Sequence, residues 1–278
     1  MYIPENSHFN LGGATKIGRK PSPKKKIYSL VIGFVVLVVM LITALLLSKA
    51  ESEAKLANIS VPYDLEQLWG WSDEVLEAGA GSAEWTLRWD VTTTSKSAFK
   101  ELTANLFKEE NGDMTNKVIT NGGKSIRGEV SRLGGILSIH IPEEAGGVDH
   151  LLVMLEASSG DGSLQKLLAS AAIIGEELAL VSSYTDTSMK VHGFAKSKDA
   201  VKQLERLSLG KVVEDYEDGG TWSVTLNSSK LLSSQSLDNK RSANLQISAH
   251  DHTERKMTEL TIGIPLITGD FSSTKNEP

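Results

Sequence analysis

The chain has no cysteine, which rules out a disulfide frame, a thiolate nucleophile and cysteine-ligated metal. Aromatic residues are sparse at 6%, and there are seven prolines in 278 residues, far from any proline-rich or collagen-like composition. No G-x-S-x-G and no H-E-x-x-H occurs, so the common serine-hydrolase and zinc-peptidase signatures are missing. Gly122-Gly123-Lys124-Ser125 has the last four letters of a phosphate-binding loop, but Val118 stands where its first glycine is required. That stretch reads as a hairpin turn, since Asn121-Gly122 suits backbone at positive φ.

What the chain does have is one long apolar run. Residues 27–47 carry no formal charge, and twenty-one residues in a helix span roughly 30 Å, the thickness of a bilayer core. Before the run lie Lys16, Arg19, Lys20, Lys24, Lys25 and Lys26 against Glu5 alone. The positive-inside rule therefore predicts a single-pass anchor with a cytoplasmic N-terminus and an extracytoplasmic remainder. Secretion after cleavage near Ser48-Lys49-Ala50 is the alternative. Residues 1–26 sum to +5, whereas residues 51–278 hold 22 basic and 34 acidic side chains, a formal −12. Such a field disfavours nucleic acid as a partner.

The expected organisation is a disordered tail (1–26), the transmembrane anchor (27–47), a stalk (48–60), a helix with a first repeat (61–184) and a second repeat (185–278). Residues 64–78 read as an amphipathic helix with Leu65, Leu68, Trp69 and Leu76 on one side and Tyr63 or Asp64 near its start. Trp71, off that stripe, is the tryptophan expected to be exposed. Trp85 to Thr92 alternates large apolar and polar residues, the pattern of a strand with one buried face. Helix 95–109 follows, then strands at 117–120, 125–130, 136–141 and 151–155. Ser163 or Asp161 caps a further helix.

The pattern then begins again. Ser95-Lys96-Ser97-Ala98-Phe99-Lys100-Glu101-Leu102 matches Ser197-Lys198-Asp199-Ala200-Val201-Lys202-Gln203-Leu204 at five of eight positions, 102 residues apart. Leu87-Arg88-Trp89 corresponds to Met189-Lys190-Val191 at the same spacing. Lys117-Val118-Ile119 corresponds to Lys211-Val212-Val213, Leu137-Ser138-Ile139 to Leu245-Gln246-Ile247, and Leu151–Leu155 to Leu260–Ile264. The order predicts an α+β fold, a tandem duplicated β-α-β4 repeat of antiparallel sheet. The second copy lacks a C-terminal helix, and the helix at 64–78 is a candidate for that place.

Glu84-Trp85-Thr86-Leu87 opens the first strand. Asn244-Leu245-Gln246-Ile247-Ser248-Ala249 leads to Leu260-Thr261-Ile262-Gly263-Ile264-Pro265-Leu266-Ile267-Thr268. In these two stretches, and over roughly residues 60–271, the chain resembles the YwmB family of secreted or membrane-attached bacterial proteins. The family is similar in fold to the TATA-box-binding protein, a twofold repeat of curved antiparallel sheet with helices on one face. The resemblance implies that fold and an extracytoplasmic location, and no catalytic residues.

Few side chains converge in the sequence. His250-Asp251-His252 with Glu254 has two histidines on one strand face, but in a polar stretch that reads as a hairpin tip. His140 and His150 flank a loop carrying Glu143, Glu144 and Asp149. Glu214-Asp215-Tyr216-Glu217-Asp218 lacks calcium-loop spacing and reads as a strand facing water. No catalytic set, no metal site and no cofactor is predicted. The expected function is a non-catalytic binding module of the cell envelope, its partner an envelope protein or cell-wall material. A wall-acting enzyme with dispersed acids and histidines is the alternative. Arg88, Asp90, Ser138, His140, Gln246 and Ser248, the polar alternates of three strands, are the candidate binding surface.

Overall fold

The computed structural model describes residues 38–40, 42–43, 60–142, 150–157, 162–238, 240–252 and 257–267. Two compact units divide the chain, Met1–Ser52 and Glu53–Pro278. Of the apolar run, only 38–40 and 42–43 are described, and both are helical. No helix among the described residues is long and apolar enough to cross a membrane. The anchor expected at 27–47 otherwise lies outside the described residues, as do the tail 1–26, the acids of the 143–149 loop and Glu254.

The second unit is α+β. Helix α1 covers residues 60–75. Then come β1 (Glu84–Thr92), α2 (Ala98–Leu106), β2 (Val118–Thr120), β3 (Ser125–Val130), β4 (Gly135–His140), β5 (His150–Ala157) and α3 (Leu164–Val181). Strand β6 (Tyr184–Phe194), α4 (Ala200–Ser208), β7 (Gly210–Asp218), β8 (Thr221–Ser228), the short β9 (Gln235–Ser236) and β10 (Ser242–Ala243), β11 (Leu245–His252) and β12 (Met257–Ile264) complete it. Ten strands form one antiparallel sheet in the order β2-β3-β4-β5-β1-β6-β12-β11-β8-β7; β9 and β10 pair separately.

Alternation decides which side of this sheet is buried. Trp85, Leu87, Trp89 and Val91 are each at most 3% exposed, while Arg88 and Asp90 point to the other side, as the sequence predicts. Trp89, Val153, Ile139 and Ile126 form a continuous cross-strand row in one half. Val191, Ile262, Ile247 and Val224 form its counterpart in the other. All eight are buried. These pairings place Ile139 opposite in role to Ile247 and Val153 to Ile262, the matches read from the sequence. The match of Lys117–Ile119 to Lys211–Val213 slips: Ile119 pairs with Ile126, but its counterpart beside Val224 is Asp215. A bulge between Val212 and Glu214 shifts that register, and an added residue in one strand is how bulges do so.

The four helices join the buried face in one core, through Leu65, Leu68, Leu102, Leu106, Ile174 and Leu204 among others. Helix α1 serves the second half as α3 serves the first. Ser183 N–H donates to Thr92 O after α3, at 2.9 Å, and Glu77 N–H donates to Phe194 O after α1, at 2.8 Å. The buried positions largely agree as well: Ser170, Ala171, Ile174 and Leu178 of α3 correspond to the buried Asp64, Leu65, Leu68 and Ser72 of α1, and Leu167 to the half-buried Val61.

Two expectations for α1 fail together. Trp71 is only 6% exposed and Asp64 is fully buried. The helix begins by residue 60, not 64, so Asp64 lies a turn inside it; beside the expected Leu65 and Leu68, the buried stripe takes in Asp64, Trp71, Ser72 and Val75. The carboxylate of Asp64 is satisfied there by the N–H groups of Leu232 and Ser233, each at 2.8 Å. Ser60, the last residue of the expected stalk, is already helical and buried.

Candidate functional site

The face of the sheet turned away from the helices is mostly polar, with Ile136, Leu152 and Met154 forming an apolar patch on β4 and β5. The segment after β12 returns over this face. Ile267 N–H donates to the Gln246 side-chain oxygen at 2.9 Å, and Ile267 Cγ1 lies 2.6 Å from where a Cβ on Gly263 would stand. A side chain at position 263 would push this segment off the face.

Arg88, Asp90, Ser138, His140, Gln246 and Ser248 all lie on this open face, as predicted. They do not form one cluster. With β4, β1 and β11 separated by intervening strands, they spread over roughly 24 Å at the usual strand spacing. The polar groups instead satisfy one another locally. Arg88 grips Asp90 with two bonds of 2.8 and 2.7 Å. Arg127 reaches from β3 to Glu156 on β5.

The five histidines of the described residues all stand on this face, and four of them bond a hydroxyl directly across a ladder. His140 pairs with Ser125 and His150 with Thr92, at 3.4 Å. His192 pairs with Thr261 at 3.0 Å and His250 with Thr221 at 2.9 Å. His252 lies 3.7 Å from Glu259. One ring nitrogen, Nδ1, of each of the first four is therefore occupied by a neighbour, and His140 and His150 bond different partners. His192 was not singled out from sequence; its signal was only its alternation with Ser188 and Lys190.

At the sheet centre, Asp90 and Asp186 are direct cross-strand partners. Two like charges so placed repel. Loss of hydration raises the Asp186 pKa above the ordinary carboxyl range; the Thr187 N–H opposes the rise and Asp90 adds to it. Burial likewise lowers Lys190, against the pull of Glu156 and Glu84. Ser188, 8% exposed, has a hydroxyl with no partner. No group of three histidines or acids among the described residues could hold a metal ion.

The remaining predicted features are surface structure. Asn121, Gly122 and Gly123 take positive φ in the β2–β3 hairpin, and no helix follows to form a phosphate loop. Glu214 to Asp218 lie exposed on the edge strand β7, with Glu214 held by Arg241 at 2.9 Å. Charge and a bulge on an edge strand oppose unwanted strand pairing.

A cleft of about 330 Å³ opens at one end of the sheet, between Trp69 of α1, Gly134 and Gly135 before β4, and Lys166 of α3. Trp69 stacks on Trp85 with ring centroids 5.2 Å apart. The sequence assigned both indoles to packing, and nothing in their spacing marked a cleft.

No family model matches this chain, and no curated protein matches it.

Proposed function

We propose that the outer part of the chain is a non-catalytic binding module of the cell envelope, tethered by the 27–47 segment and presenting the open sheet face to an envelope protein or to wall material. The observation that carries this reading is the breadth of that face, with its polar groups paired to neighbours instead of converging on a nucleophile. Alternate side chains of every strand project from it, which suits recognition of a large flat partner. The mirrored strand order, the equivalence of α1 with α3 and the 102-residue match support a tandem duplication. The same features favour the resemblance to the YwmB family and its TATA-box-binding-protein-like fold. The net −12 of residues 51–278 speaks against nucleic acid.

One observation favours the runner-up, an envelope enzyme with dispersed acids and histidines: Asp186, with its raised pKa, faces Asp90. It stands on an open face without a cleft to exclude water, which general acid catalysis would use.

Photo-crosslinkers placed at Ser138 and Ser248 on the open face, and at Lys202 on α4, test the binding reading. Adducts with envelope protein or wall material are expected from the two open-face positions and not from Lys202. Adducts from Lys202 alone would reject the open face as the binding surface.

A further inference from the structure

The cleft at the sheet end is explained by comparing the two halves. In the second half the loop after β8 turns the N–H groups of Leu232 and Ser233 onto the buried Asp64 carboxylate. In the first half Ser170 holds the position of Asp64. It is shorter and neutral, and its hydroxyl donates to Leu133 O at 2.9 Å. One corner of the protein thus contains its own carboxylate; in the corresponding corner Ser170 is buried and bonded to Leu133 O and Lys166 O, and the cleft lies beside it along Leu133 and Lys166.

The cleft wall supplies a cation in its place. Lys166 lies directly over Gly134: a Cβ there would collide with Lys166 Cε and fall 3.0 Å from Nζ, and the φ of +67° suits glycine. Neither Lys166 nor Glu129, both lining the cleft, has an ion pair among the described residues. Trp85 is closed off at 3% exposure and its indole N–H donates to Ala80 O at 2.9 Å. The half-exposed Trp69 is therefore the aromatic surface the pair offers.

We infer that this cleft binds a small carboxylate ligand, its acid group at Lys166 and Gly134 and its apolar body against Trp69. The volume is at the small end of the usual ligand-site range of about 300–1,000 Å³, enough for a sugar acid or a short peptide terminus. Glu129 on the rim repels a second acid and accepts a hydroxyl or ammonium donor. The inference deepens the binding-module reading and rests on it for its setting. None of its test arms touches Arg88, Ser138 or Ser248, so the two fail separately.

The test titrates the full-length chain in detergent with glucuronate, glucose, alanyl-alanine and alanyl-alanine amide, read by calorimetry and tryptophan fluorescence. At least one carboxylate should bind about tenfold tighter than its own neutral analogue, the scale of a charge-assisted bond. Lys166→Gln, at an exposed position, should fold normally and erase that difference. Glucuronate binding alone identifies a sugar acid, and dipeptide binding alone a peptide terminus. Equal binding of acid and neutral analogue, no binding of either acid at about tenfold above the usual millimolar limit for weak ligands, or discrimination that survives in Lys166→Gln would overturn the inference.

Discussion

Leu87 and Met189 face each other across the central β1–β6 ladder, and they are also the residues that the 102-residue match sets in equivalent places. A position that pairs with its own equivalent marks the centre of a twofold arrangement. Outward from it, both halves repeat the same order of strands. Buried rows and helices lie on one side of the sheet, and a broad, mostly polar face on the other.

Trp89 sits in the buried row beside Val153 and is 3% exposed. Trp89→Ala should cost about 3–5 kcal/mol. Denaturant unfolding checks it, with the midpoint falling at unchanged slope.

Asp64→Ala removes the acceptor for the N–H groups of Leu232 and Ser233, which are partly buried. At about 0.5–1.5 kcal/mol for each hydrogen bond lost, the destabilisation should reach roughly 1–3 kcal/mol. Asp64→Asn keeps one acceptor oxygen and should cost less. Equal stability of both variants with the parent would mean that the loop after β8 does not depend on α1.

The Asp186 carboxyl is raised, so the folded state binds its proton more tightly than the unfolded chain. Its contribution to stability therefore falls as pH rises from the ordinary carboxyl range through the raised value, and it is unfavourable at neutral pH. Asp186→Asn should raise the melting temperature at pH 7, by under about 1 kcal/mol equivalent because the group keeps solvent contact. The variant should also flatten the stability profile in that acidic window. A lower melting temperature at pH 7 would show that Arg88 outweighs the lost hydration.

Protease added outside intact cells should digest residues 48–278 and spare the N-terminal tail. Protection of the C-terminal part would reverse the topology read from the lysine cluster. A mature N-terminus near Glu51 would instead mean cleavage and secretion.

The strand alternation was legible because period-2 burial survives in the sequence: Trp85 to Val91 gave their face, and Ile139 and Ile247 gave matching places in the two buried rows. Trp71 misled because Asp64 read as a polar residue at the helix start: once Asp64 counts as buried, Trp71, seven residues on and three after Leu68, falls on the same face. Asp64 was illegible for a different reason. Its partners are 168 and 169 residues away in sequence, and a buried acid on a helix looks like an N-cap until they are known. The His–hydroxyl pairs depend on ladder register, which composition does not encode. The cleft exists because two loops and a helix start meet, and no local pattern marks such a corner.

The most direct measurement is of chemistry on wall material: isolated wall fragments incubated with the full-length chain and assayed for soluble products. A non-catalytic module predicts retention of the protein on its partner with no fragments released above the buffer control. Release by the parent chain that disappears on changing His140, His150 or the His250/His252 pair to alanine would contradict the account and make the protein an enzyme.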